Sequence, residues 1–348
     1  MQTRAIVGSL LGTAMGDAIG LPYEGLSRRR AARMFGPPDR HRLLFGYGMV
    51  SDDTEHACMT AQALLASGGD VERFRRQLSH RLRYWLLMLP AGVGFATGRA
   101  IIRLWLGWNP ARSGVYSAGN RPAMRAPLLG AAIADTAQLR AFVTASTRLT
   151  HTDPKADHGA YAVALAAHLA ARHGEVDAHV FLADLERDLG DEAGELLALL
   201  HAMAKAVKSG RSTPAYAASI GLDVGVSGYM YHTVPVALHA WLSHQRDFRG
   251  AVMEMVSCGG DTDSTAAIVG GIVGAAHGRA GIPDAWLNGL AEWPRSVGWM
   301  ESLAERLAQS NTSGLPVFEP RILFTPVRNL IFLVIVLLHG FRRLLPPY

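Results

Sequence analysis

Charge is scarce in this sequence. Asp, Glu, Lys and Arg make up only 18% of its 348 residues, against 49% hydrophobic ones. That balance excludes a disordered polyelectrolyte and suits long, well-buried helices. Cysteine is almost missing: Cys58 and Cys258 cannot build a disulfide framework, and a reducing, cytoplasmic setting is expected. No clustered Lys/Arg run interleaves with aromatics, so the net charge of +5 suits an anionic ligand or a merely arginine-rich composition, and nucleic-acid binding is not expected. Strand signals are few, and no repeat of 20–50 residues recurs, which excludes a solenoid. The tail run LIFLVIVLLHGF (330–341) falls short of the about 20 apolar residues that span a bilayer. It is expected to dock on the body, a sister subunit, a partner or a membrane surface, with contact through about 326–345. At the other end, Arg4 followed by an apolar run has the look of a signal peptide, but Asp17 and several glycines interrupt the run, so export is not expected. The first motif stands close to Met1, so no long inhibitory arm is expected before it.

What is present is helical periodicity. Apolar stripes with polar backs run over 5–20, 54–67, 71–88, 97–106, 128–137, 157–173, 178–189, 192–208, 233–244, 249–257, 263–279 and 299–309. The expectation is an all-α, compact, many-helix single domain over residues 1–310, with 311–348 as a tail carrying a short apolar helix. Long loops are expected over 22–53, 107–127 and 209–232, and long loops in helical globules are usually functional.

Two acidic stretches stand at predicted helix starts: SDDTE (51–55) and GGDTDST (259–265). On a regular helix Asp261 and Asp263 would diverge by roughly 200°, so they converge on one ligand only in a loop or an unwound first turn, which Gly259 and Gly260 permit. Asp52 and Asp53 face the same constraint before the helix at Thr54. One reading makes them helix caps, with Asp52 and Glu55 as a capping box and Asp261 or Asp263 with Ser264 as a second cap. The other counts more oxygen than a cap needs: carboxylates with Ser51, Thr54 and Ser264 form a hard donor set suited to Mg²⁺, Mn²⁺ or Ca²⁺ and poor for zinc. Gly270, Gly271 and Gly274 read as close helix packing, and Tyr229 and Tyr231 as either cleft lining or packing.

Five stretches, GSLLGTAMGDAIGLPYEG (8–25), SDDTEHACMTAQALL (51–65), SAGNRPAMRAPLLG (117–130), THTDPKADHGAYAVALA (150–166) and CGGDTDSTAAIVGGIVGA (258–275), resemble the ordered motifs of the ADP-ribosylglycohydrolase family. The resemblance implies an all-α fold, a binuclear Mg²⁺ (or Mn²⁺) centre, and removal of ADP-ribose from modified proteins, most simply at ADP-ribosylarginine. Serine-linked ADP-ribose, O-acetyl-ADP-ribose, modified nucleic acid and a non-catalytic member are the alternatives. By position it implies Ser51, Asp52, Asp53, Asp261, Asp263 and Ser264 as metal ligands. It implies Glu24, Asp52 and Asp53 as catalytic groups, with Glu24 on a mobile loop. Gly94, Ser117, Gly119, Asn120 and His151 would bind substrate, with Asp153 nearby. Ser51 and Ser264 stand where many members have Thr. Arg121-Pro122 follows the Gly-Asn pair where many members have small residues, which puts a bulky cation beside the phosphate loop.

Overall fold

A computed structural model describes residues 2–309 and 324–346. The helices, in order, are α1 (Gln2–Gly20), α2 (Arg28–Phe35), α3 (Asp52–Ser67), α4 (Val71–Leu87), α5 (Phe95–Trp105), α6 (Arg121–Ala132), α7 (Thr136–Arg148), α8 (Pro154–His173) and α9 (Ala178–Leu189). They continue with α10 (Gly194–Lys208), α11 (Thr213–Ser219), α12 (Met230–Ser243), α13 (Phe248–Val256), α14 (Thr262–His277), α15 (Asp284–Asn288), α16 (Val297–Gln309) and α17 (Thr325–Arg342). Among the described residues there are only isolated β-bridges and no strand, as the periodicity predicts.

The centre is an antiparallel pair, α1 and α14, and small residues bring the two backbones together. A Cβ placed on Gly8, Gly12, Gly16 or Gly20 would fall 2.0, 2.1, 2.0 and 2.3 Å from the carbonyl oxygens of Gly274, Gly270, Ala266 and Thr262. The four-residue spacing keeps all these contacts on one face. The glycine expectation therefore holds, and it has a consequence: the C-terminal end of α1 lies against the first turn of α14, where the acids are. Helices α1, α3, α8 and α14 are buried nearly all round, so their expected polar backs are absent; they form the inner layer and amphipathic helices such as α4, α9 and α16 cover it.

Three differences have local causes. The loops expected over 22–53, 107–127 and 209–232 each contain helix: α2, the first turns of α6, and α11. Helix α6 starts inside the loop expected over 107–127 because Pro122 occupies its permissive first turn, and Pro127 sits inside it. The predicted segment 128–137 is two helices, because Asp135 accepts from the Gln138 N–H (2.7 Å) and starts α7. The tail helix exceeds its apolar run, and the boundary expected near residue 310 lies in 310–323, outside the described residues.

Candidate active site

Gly259 and Gly260 answer why acids follow a glycine pair. Both hold positive φ (73° and 83°), and a Cβ on Gly260 would meet the Val226 carbonyl oxygen at 2.1 Å. The freed backbone bonds on both sides: Gly25 N donates to the Gly260 oxygen (2.7 Å), Gly260 N to the Leu26 oxygen (2.9 Å) and Asp261 N to the Val226 oxygen (2.7 Å). The loop carrying Glu24 and the loop 224–228 are thereby sewn to the start of α14. A cleft of about 420 Å³, lined by Glu24–Ser27, Val224–Gly228, Gly260 and Asp261, opens there, within the usual range for a small-molecule ligand.

The acids converge. Oxygens of Glu24, Asp261 and Asp263 lie within 4.8 Å of one another. Asp53 is buried and joins the two stretches: its Oδ2 accepts from Ser51 Oγ (3.0 Å) and from Ser264 Oγ (3.1 Å), while its Oδ1 is buried with no hydrogen-bond partner. Ser51, not Asp52, caps α3 through the Asp53 N–H. The expected capping box does not form. Glu55 points away and accepts from Trp85 Nε1 (2.6 Å) and Arg295 Nη1 (2.9 Å). Asp261 stands at the N-cap position of α14 without a side-chain cap bond; its Oδ2 accepts instead from Asn120 Nδ2 (2.6 Å). Capping thus leaves several carboxylate oxygens uncommitted.

Electrostatics point the same way. Burial, then Asp17 and Asp261, raise the pKa of Asp53; burial, then Glu24, Asp53 and Asp261, raise that of Asp263; burial and Asp261 raise that of Glu24. Carboxylates packed this closely repel unless a cation sits among them or a proton is taken up, and Arg121 faces Asp263, Asp261 and Glu24 as one such cation. The buried orphan oxygen of Asp53 and the hard-oxygen cluster fit a divalent cation.

The remaining expected residues fall around this cluster. Asn120 Nδ2 also donates to Thr233 Oγ1 (3.0 Å), so Asn120 orients Asp261. Ser117 Oγ accepts from Gly119 N (3.3 Å) and shapes the loop. His151 is buried against Gly119, whose Cβ would lie 3.1 Å from its Nε2; burial and then Arg125 lower its pKa to about 3, which keeps it neutral. Asp153 instead caps α8 through Lys155 N (2.9 Å). Tyr229 and Tyr231 pack with Lys155, whose Nζ donates to Tyr229 Oη (3.1 Å). Gly94 leaves room for Arg121: a Cβ there would meet its Nε at 2.4 Å. The Arg121 guanidinium pairs with Asp52 and donates to the Gly92 oxygen (2.7 Å). Asp52 is thus held by an internal cation rather than joining Glu24, Asp261 and Asp263.

Two residues were missed. Asp17 is fully buried in α1 and accepts from Ser51 N, Thr54 N and Thr54 Oγ1, fixing the turn that carries Asp52 and Asp53. Its signal was an acid inside an apolar run, which costs too much to bury without donors. Arg125, also fully buried, donates to Ser146 Oγ and to Thr150 Oγ1 (3.0 and 3.1 Å) and braces the residue that bonds His151.

Burial raises the Asp17 pKa from 3.8 to about 7. Between those values the folded chain keeps a proton the unfolded chain releases, so the stabilisation is full at low pH and lost as pH rises through the folded value. In EDTA, stability is expected to fall by about 2–4 kcal/mol from about pH 4 to pH 7 through this group, followed as the melting midpoint, with Asp17→Asn making the fall shallower by that share while the raised Asp53, Asp263 and Glu24 keep the rest. A midpoint that rises over that range would contradict the assignment.

The all-α fold and its gathered acids agree with the family that the sequence matches. Residues 2–315 match the family model described as ADP-ribosylglycohydrolase, and the chain belongs to that family. It is 31% identical to an uncharacterized protein of Archaeoglobus fulgidus over 86% of this chain and 94% of that one. It is 27% identical to the ADP-ribosyl-(dinitrogen reductase) glycohydrolase of Rhodospirillum rubrum, covering 82% and 89% of the two chains. It is also 27% identical to ADP-ribosylhydrolase ARH3 of Homo sapiens, covering 80% and 87%. A solved ADP-ribosylglycohydrolase-related protein complex superposes with a TM-score of 0.64 at 27% identity, over 89% of this chain and 99% of that one.

Proposed function

We propose that this glycohydrolase removes ADP-ribose from modified proteins by cleaving the N-glycosidic bond of ADP-ribosylarginine, with two Mg²⁺ (or Mn²⁺) ions bound. The observation that carries the reading is the cluster of Glu24, Asp261 and Asp263, with Glu24 and Asp261 lining a ligand-sized cleft and buried Asp53 tied to it through Ser264. Asp53, Asp261, Asp263, Ser51 and Ser264 would hold the ions, which polarise ribose hydroxyls and a water when bound. Glu24, exposed at the rim, would take a proton from the attacking water, as cleavage at an anomeric carbon requires. The loop 117–120 would hold the diphosphate, with neutral His151 beneath it. Asp52 supports the arginine linkage, because this carboxylate already holds a guanidinium. The two buried free cysteines suit work in the cytoplasm.

The Arg121–Asp52 pair also favours a second reading. If Arg121 stays in place, the site presents a neutralised carboxylate, which suits an uncharged acceptor such as a serine-linked group. Release of free ADP-ribose from ADP-ribosylarginine and ADP-ribosylserine proteins, with Mg²⁺, with EDTA and for Asp261→Asn, decides between them. Release from arginine that needs both metal and Asp261 supports the first reading. Release from serine alone moves the assignment to the second. No release and no bound metal favours a non-catalytic member.

Arg121→Ala removes a cation that faces the acids. Mg²⁺ affinity is expected to tighten roughly tenfold, since a like charge disfavours a second cation at this range, with titration calorimetry as the readout. Unchanged or weaker affinity would place the guanidinium outside the ion's field.

A further inference from the structure

The outer face of α17 is apolar along its length. Leu330, Leu333, Val334, Leu337, Leu338 and Phe341 are all exposed, at the i, i+3, i+4, i+7 spacing of one stripe. The inner face is polar and fixed to the body: Arg328 Nη2 bonds Glu292 Oε2 (2.6 Å), Asn329 Nδ2 donates to the Met88 oxygen (2.7 Å), and His339 Nε2 contacts the Pro22 oxygen (2.8 Å). A helix held through buried arginine and histidine lies on a surface; crossing a bilayer would break every one of those contacts.

Basic groups flank the stripe. Helix α2 reaches the C-terminal end of α17, where Arg342 stacks 5.1 Å over Phe35 and Arg30 donates to the Arg343 oxygen. A cavity of about 440 Å³ opens beside it, lined by Arg40, Arg42 and Arg342, with Phe45 at its edge. Phe45 is 96% exposed. Neither residues 25–38 nor 325–346 contain Asp or Glu. The nearest acid, Asp39, is already paired with Arg42 (2.9 Å), so in a twofold contact a second copy would present the same net-basic surface and no free carboxylate from this patch to Arg40 and Arg342. An anionic lipid surface satisfies both parts, taking the leucines into the acyl boundary and its phosphates against the arginines.

We propose that α17, with Phe45 and the Arg40/Arg342 cavity, is a docking surface for anionic membranes. Because Arg343 Nη1 donates to the Glu24 main-chain carbonyl oxygen (2.6 Å), the docked helix would also hold the catalytic loop from its outer side. The test is sedimentation of the purified full chain with vesicles of phosphatidylcholine alone or mixed with phosphatidylglycerol. The chain is expected to sediment with the mixed vesicles and to be released by salt. Leu330→Glu/Leu337→Glu should abolish binding, and Arg40→Glu/Arg342→Glu should weaken it at least about tenfold; the exposed leucine positions leave the melting midpoint unchanged, while loss of the Arg342–Phe35 stack lowers it slightly in the arginine variant. Equal binding to both vesicles would overturn the anionic assignment. No binding to either would overturn the proposal, as would a concentration-dependent dimer that the leucine variant dissolves.

Discussion

Asp53→Asn is expected to lower kcat/KM for ADP-ribose release by about a thousandfold or more, a loss of at least about 4 kcal/mol of transition-state stabilisation. The protein should stay folded. Asn keeps an oxygen where Ser51 and Ser264 donate and removes a charge that burial and Asp17 already disfavour. What disappears is the anionic Oδ1, buried and without a partner, where the cation is proposed to sit. Two readouts separate the causes. Without metal, the melting midpoint should be unchanged or higher; with Mg²⁺, the upward shift of the native chain should shrink or vanish. Full loss of activity with an intact Mg²⁺ shift would make Asp53 a group acting on substrate and not a ligand. Glu24→Gln is the contrast, since Glu24 is exposed at the rim: activity falls while most of the Mg²⁺ shift survives.

Asp53 also shows which parts of the site the sequence carries. Helix starts are local, so a cap-like acid pair beside left-handed glycines could be read as a turn that aims carboxylates. That Asp53 would meet Ser264, 211 positions away, could not be obtained from spacing, and came from the resemblance of ordered motifs. Asp17 escaped because its periodic position is an ordinary core position; only its partners on α3 give it meaning. Arg121 was legible as a bulky cation beside a phosphate loop but not as a partner of Asp52, because that pair depends on how α6 begins. The expected loop runs to residue 127, whereas α6 begins at Arg121. The all-α fold was legible because helical periodicity survives in most segments. The error was to expect amphipathic stripes in α1 and α14, where burial on every side leaves no polar back to see.

That all-round burial sets up the second large effect. Gly16→Ala is expected to destabilise the chain by about 3 kcal/mol or more, above the usual range for an added core methyl. The new Cβ would stand 2.0 Å from the Ala266 oxygen, 2.4 Å from its carbonyl carbon and 2.8 Å from Ala267 N. All three are backbone atoms, so no side chain can rotate away. The helices must separate instead, and the contacts at Gly12 and Gly20 separate with them. Gly298→Ala is the matched control, a helical glycine whose Cβ would meet nothing within 4 Å; it should be neutral or stabilising by up to about 1 kcal/mol. Denaturant midpoints of both variants decide the matter. The same displacement reaches the site, because Gly20 touches Thr262 at the first turn of α14, while the chain leaving α1 carries Glu24. The folded fraction of Gly16→Ala is therefore expected to show a weakened Mg²⁺ shift as well. A variant that keeps both stability and Mg²⁺ response would mean that α1 and α14 do not approach at backbone contact, and the placement of Glu24 beside Asp261 would lose its basis.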